Sequence, residues 1–184
     1  MQQGERMSRH VPGVTVWFTG LPGAGKTTLA HAVAGALRRR GVDRLEILDG
    51  DVIRTTLSKG LGFSRQDREM NVQRVGFVCQ TLNRHDVVAL AALVSPYREG
   101  RELMRKEIGR FVEVYVKCPL DVLIQRDPKG LYRKALAGEI RQFTGVSDEY
   151  EEPLHPDVVV STDVETVDQS TQRIVSTLER LGYL

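Results

Sequence analysis

The chain has 184 residues, of which 41% are hydrophobic and 27% charged, with 26 Lys and Arg against 24 Asp and Glu for a net charge of +2. That length fits one domain with a core of ordinary size, and the composition excludes collagen-like, disulfide-stapled and disordered classes. Charge this close to balance excludes a protein held to nucleic acid or anionic lipid by bulk charge, so any anion site must be local and neither partner is expected.

In chain order, residues 1–13 are polar and aperiodic and predict a flexible leader ahead of a single folded unit, 14–184. Residues 14–19 (VTVWFT) predict a strand that ends in glycines. Helical spacing follows at Leu29, Ala32, Val33, Ala36 and Leu37, with Arg38, Arg39 and Arg40 at the negative helix end and Gly41 where a terminating glycine belongs. Further strands are predicted at 45–48, 87–94, 111–116 and 158–160, separated by helical segments. Ser64, with Asp67 three residues on, opens a helix whose apolar face carries Val72, Val75, Val78, Cys79 and Leu82. Thr166 and Gln169 form a capping-box pattern ahead of Ile174, Val175 and Leu178. Alternating strands and helices imply an α/β fold with a five-stranded parallel sheet covered on both faces and ligands beyond the carboxyl ends of the strands. Between 126 and 145 strand character is lost and Arg126, Lys129, Arg133, Lys134 and Arg141 gather, predicting a small, mobile basic lid.

The apolar run 87–94 is far shorter than the roughly 20 residues that cross a bilayer, and no signal-peptide pattern opens the chain, so a cytoplasmic location is expected. Cys79 and Cys118 form no CxxC pattern and the four histidines have no ligand spacing, so no transition-metal site is expected.

The chemistry begins at residues 20–27 (GLPGAGKT), which satisfy GxxxxGK[ST] between a strand and a helix. Gly20, Gly23, Ala24 and Gly25 let backbone N–H groups curl around phosphate oxygens. Lys26 adds a full positive charge, and the Thr27 hydroxyl can ligate Mg²⁺. The fold is therefore expected to be a P-loop NTPase-like three-layer sandwich. No NKxD stretch is present to read guanine, which argues against a GTPase switch, and a lid that excludes water favours a kinase.

At the end of the second strand, Asp49 and Asp51 flank Gly50 and suit contacts with metal-bound water and a hydroxyl. A turn with a helix cap at Asp51 is the plainer reading. Arg54 follows Asp51 by three residues, and Arg68, Asn71 and Arg74 repeat by three, as oxyanion-binding forks on a helix face do. Phe63 and Phe143 can stack on a base or pack in a core. Ser95, in SPYR, ends the third strand on the ligand side, where a helix cap is the alternative.

Taken together, WFTGLPGAGKTT, LDGD with Arg54, LGFS with Asn71, SPYR and RDPKGLYRKALAGEIRQFTG followed by YEEP resemble the adenylyl-sulfate kinase family of P-loop kinases over about residues 17–162. The resemblance implies ATP-dependent phosphorylation of the 3′-hydroxyl of adenosine 5′-phosphosulfate, with ATP and that nucleotide as partners and Mg²⁺ as cofactor. It implies Lys26 on the β- and γ-phosphates, Thr28 with the phosphate loop, and Arg126 and Thr162 near the ATP adenine. Thr27 and Asp49 would serve the metal, and Asp51 the ribose hydroxyl. Arg54, Phe63, Arg68, Asn71, Ser95, Lys129 and Phe143 would surround the acceptor, the two phenylalanines sandwiching its adenine. Lys26, Asp51 and Ser95 are the catalytic candidates, although in-line transfer needs no phosphoserine. The chain departs from the family pattern at Val52, Met70 and Gln73. A homodimer and a functional pairing with ATP sulfurylase are left open, as are a P-loop kinase for another small hydroxyl acceptor and a nucleotide-sensing module without turnover.

Overall fold

The computed structural model describes residues 9–184. Its elements run β1 (Thr15–Thr19), α1 (Lys26–Arg39), β2 (Leu45–Asp49), α2 (Gly50–Thr55), α3 (Arg65–Arg84), β3 (Val88–Ala92), α4 (Arg98–Ile108), β4 (Phe111–Lys117), α5 (Leu120–Arg126), α6 (Leu131–Leu136), β5 (Val158–Ser161) and α7 (Val167–Arg180). All four strand pairings are parallel, in the order β2-β3-β1-β4-β5. The chain turns from one side of β1 to the other, so the crevice beyond the carboxyl ends of β1 and β3 is where an α/β sheet takes its ligand.

Alternation along β1 builds the three layers. Val16 and Phe18 join Leu29, Val33, Leu37, Ile174 and Leu178 beneath α1 and α7, while Trp17 joins Val72, Val75, Cys79, Met104 and Phe111 beneath α3 and α4. Strands covered on both faces read as continuous apolar runs, which is why 87–94 overran. Strand β3 stops at Ala92, and Leu93 and Val94 are apolar residues of the turn beyond it.

Helix ends follow local chemistry. Ser64 Oγ accepts from Asp67 N at 3.1 Å at the start of α3, and Thr166 with Gln169 forms the reciprocal capping box of α7. At the end of α1, Gly41 adopts φ 83°, with Gly41 N donating to Arg38 O and Val42 N to Leu37 O, the pattern of a Schellman turn. The cap of α2 is Asp49 rather than Asp51: Asp49 Oδ1 accepts from Asp51 N at 2.9 Å and Val52 N at 3.2 Å, leaving the Asp51 carboxylate outside the helix start.

Of the leader expected over 1–13, residues 1–8 lie outside the described residues. The remainder packs on the fold: Val11 is buried, Arg9 N donates to Gly41 O, and His10 pairs with Asp86 at 3.2 Å. No helix among the described residues is long and apolar enough to cross a membrane.

Candidate active site

Beyond β1 the chain turns through the glycine loop into α1. Gly25, at φ 97°, caps the helix in a left-handed conformation, and a Cβ on Gly20 would collide with the Val116 carbonyl of β4. Glycine is therefore required at both places, one for the turn and one for close approach to the neighbouring strand. Lys26 is the first residue of α1 and is buried, its Nζ donating to Gly20 O at 2.9 Å and Leu21 O at 2.7 Å. Burial lowers its pKa to about 7, against the opposing pull of Asp51 and Asp49. The loop is thus a curled cradle at a helix start with one buried lysine amine at its base.

Thr27 Oγ1 donates to Asp49 Oδ2 at 2.6 Å, so the first turn of α1 meets the end of β2. Partial burial alone would raise the Asp49 pKa, but hydrogen bonds from Thr27 and from the amides of Val52 and Asp51 outweigh it and hold the carboxyl below its usual value. One hydroxyl and one ionised carboxylate beside a phosphate loop is the sparse hard-oxygen set that Mg²⁺ takes when phosphate and water complete its shell, so these residues fit that ion. Among the described residues no group of three or more His, Cys, Asp and Glu could hold a metal by itself.

These groups line a cleft of about 630 Å³, whose walls include Gly23, Lys26, Thr27, Asp49 and Asp51 together with Arg54, Phe63, Arg68, Asn71 and Ser95. The size suits a small-molecule site. Arg54 lies 4.7 Å from the Phe63 ring centroid and Arg68 5.4 Å, so an exposed aromatic face is backed by two cations. Arg68 is buried, donates through Nε to Phe63 O at 2.9 Å, and pairs with Asp148 at 3.2 Å. Asn71 is 6% exposed, and its Oδ1 finds no partner, leaving a buried acceptor atom on the cleft wall. Arg74, by contrast, turns away to Leu57 O at 3.0 Å and does not line the cleft.

Ser95 takes φ 38°, in the left-handed region that favours glycine. Its Oγ accepts from Trp17 Nε1 at 3.0 Å and donates to Thr19 Oγ1 at 3.1 Å, and Thr19 Oγ1 meets Tyr150 OH at 2.9 Å. The hydroxyl is committed to a buried chain of hydrogen bonds.

The sequence model of the adenylylsulphate kinase family matches residues 12–161. This chain belongs to the adenylylsulphate kinase family. It is 56% identical over 172 residues to the adenylyl-sulfate kinase of Gloeothece citriformis, covering 94% of this chain and 97% of that one. It is 52% identical over 172 residues to a Sorangium cellulosum protein described as a "probable bifunctional SAT/APS kinase", covering 94% of this chain and 29% of that one. The structure of the Mycobacterium tuberculosis APS kinase in complex with AMPPNP and APS superposes with a TM-score of 0.87 at 40% identity, over 92% of this chain and 99% of that one.

As a member of the adenylylsulphate kinase family, the chain brings most of its expected site residues into one cleft but not all. Arg126 lines the cleft and donates to Thr162 O at 3.0 Å, while Thr162 Oγ1 donates to Ala24 O at 3.0 Å behind the loop. Thr28 is on the cleft wall, whereas Gly20, Ala24 and Thr162 do not line it. Phe143, expected opposite Phe63, is buried edge-on against Tyr132, with centroids 5.0 Å apart, and does not line the cleft; the expected sandwich is not assembled here. The segment 126–145 is held by packing of Tyr132, Ala135 and Phe143 into the core. Tyr132 makes a contact that sequence reasoning missed: its hydroxyl donates to Pro22 O, in the phosphate loop, at 2.8 Å. Asp127 fixes that ring's helix by accepting from Tyr132 N at 3.1 Å and Arg133 N at 2.9 Å. An acid just before a short helical pattern was the available signal.

Proposed function

We propose that the chain transfers the γ-phosphate of ATP to the 3′-hydroxyl of adenosine 5′-phosphosulfate in this cleft, forming ADP and 3′-phosphoadenosine 5′-phosphosulfate. The observation that carries the reading is that one cleft joins the phosphate cradle to cationic and aromatic side chains, with Asp51 among the residues that line it. The acceptor 3′-oxygen attacks the γ-phosphorus as the bond to the β,γ-bridging oxygen breaks, and Asp51 orients the hydroxyl and takes its proton. Lys26 and the loop amides meet the charge that moves onto the phosphates. Arg54, Arg68, Lys129 and the Asn71 amide hold the acceptor, with Phe63 beneath its base. Ser95 shapes the pocket and takes no covalent part, since its hydroxyl already serves Trp17 and Thr19. Thr27 and Asp49 would hold Mg²⁺ with ATP, and the bound ion would supply neutralisation of phosphate charge.

A homodimer, a cytoplasmic location and pairing with ATP sulfurylase complete the reading. Support for the pairing is the Sorangium relative whose description joins SAT with APS kinase. The test is ADP release with adenosine 5′-phosphosulfate, with AMP, and with neither. Acceleration by the sulfonucleotide alone is expected; equal release in all three removes the assignment.

A further inference from the structure

Among the described residues three Lys or Arg side chains are buried, Lys26, Arg68 and Arg101; the first two line the cleft and Arg101 does not. Arg101, on α4, is 2% exposed and spends its fork in three directions. Nε donates to Glu113 Oε1 on β4 at 2.8 Å, one terminal nitrogen to Ser95 O at 2.6 Å, and the other to Glu151 O at 2.6 Å.

Each acceptor matters to the cleft. Ser95 is held at φ 38°, a conformation that strains a non-glycine residue and persists only where its surroundings over-determine it. Its side chain is fixed by Trp17 and Thr19, and its carbonyl by Arg101. Glu151 belongs to a strap that also meets the SPYR turn, through Glu151 N to Pro96 O at 2.9 Å and Arg98 N to Glu151 Oε2 at 2.8 Å. Three residues earlier on the same strap, Asp148 pairs with Arg68 on the acceptor wall and accepts from Tyr97 OH at 3.2 Å. The Arg101–Glu113 pair is itself weak support for stability, because desolvating two ions offsets their attraction. What the arrangement supplies is geometry.

We propose that Arg101 is a positioning residue for the acceptor half of the cleft. Touching neither nucleotide, it locks the Ser95 turn to the strap behind Arg68 and so sets how tightly the sulfonucleotide is held. The proposal rests on the reaction given above.

The test uses R101K, which keeps a cation beside Glu113 but cannot span three acceptors with one ammonium. E113Q leaves the bonds to Ser95 and Glu151 in place. The uncharged double variant R101M/E113L removes the fork without stranding a buried carboxylate between incompatible neighbours. ADP formation is measured with each substrate varied, together with the emission of Trp17, the single tryptophan of the chain. R101K and the double variant should raise KM for adenosine 5′-phosphosulfate about tenfold or more, leave KM for ATP within about twofold, and shift Trp17 emission. E113Q should lower Tm while leaving both KM values and the emission unchanged. Should R101K not fold, the double variant decides by the same split. Unchanged KM values, or equal rises for both substrates, overturn the proposal. A wild-type chain whose ADP release ignores the sulfonucleotide overturns the functional reading, and the proposal with it; a normal wild-type response with an unaltered R101K overturns the proposal alone.

Discussion

Lys129 Nζ lies 2.7 Å from Asp51 Oδ2, a bond that spans the cleft mouth from the segment after α5 to α2. The hydrogen bond that Lys129 donates to Asp51, together with the negative charge of that carboxylate, raises the Lys129 pKa, so the cation stays charged. Both side chains are well exposed, and such pairs add little stability. Replacing either one therefore tests chemistry with little effect on folding. Asp51→Asn keeps the shape and removes the proton acceptor; kcat should fall by about 10²–10⁴-fold with KM for ATP nearly unchanged. Lys129→Met should act mainly on KM for the sulfonucleotide. Steady-state kinetics with each substrate varied separates the two, and an Asp51→Asn enzyme with wild-type kcat removes Asp51 from the chemistry.

Tyr132 ties α6 to the phosphate loop through one hydroxyl. Tyr132→Phe keeps the ring against Phe143 and leaves Pro22 O without its donor, a loss of about 0.5–1.5 kcal/mol for a single neutral hydrogen bond. The expected result is a rise of about 2–10-fold in KM for ATP, with KM for the acceptor unchanged. An unchanged KM for ATP would show that the tie to the loop does not set the phosphate end of the cleft.

What was legible in the sequence was local. The glycine loop, the Ser64 and Thr166 caps and the Gly41 terminator each depend on residues within a few positions, and each formed as read. The five strands were visible because a buried parallel strand is a run of apolar residues, though β3 overran into Leu93 and Val94 for the same reason. The choice between Asp49 and Asp51 as helix cap depends on where a six-residue helix begins, which periodicity cannot resolve. Phe143 illustrates the opposite limit: an aromatic near glycines reads equally as stacking or core, and only packing against Tyr132 decides it. Arg101 was invisible because its partners stand on three separate segments and no spacing announces them.

Phe63 is 54% exposed, a large aromatic face presented between Arg54 and Arg68 rather than buried. Exposure on a cleft wall means that its removal opens no core cavity, so Phe63→Ala should leave Tm nearly unchanged. Loss of base stacking is worth about 1–3 kcal/mol, which predicts a rise of roughly 5–150-fold in the dissociation constant for the sulfonucleotide. Phe63→Trp should recover binding. Calorimetric titration measures both, and full affinity in Phe63→Ala would place the base elsewhere.

The Trp17–Ser95–Thr19–Tyr150 chain also gives the fold an alkaline limit. Burial pushes the Tyr150 hydroxyl up to about 12, despite the bond with Thr19 and the nearby Arg101 charge that favour its anion. A group whose folded pKa lies above its unfolded value, near 10 for tyrosine, contributes stability below pH 10 and loses it as pH climbs toward 12. Tyr97, Tyr115 and Tyr132 are raised too, first by burial, and steepen the same loss. Urea unfolding at pH 9 and pH 11.5 should therefore show a large fall for the wild-type chain and a smaller one for Tyr150→Phe. A Tyr150→Phe chain with the wild-type slope would show that Tyr150 does not titrate with the fold.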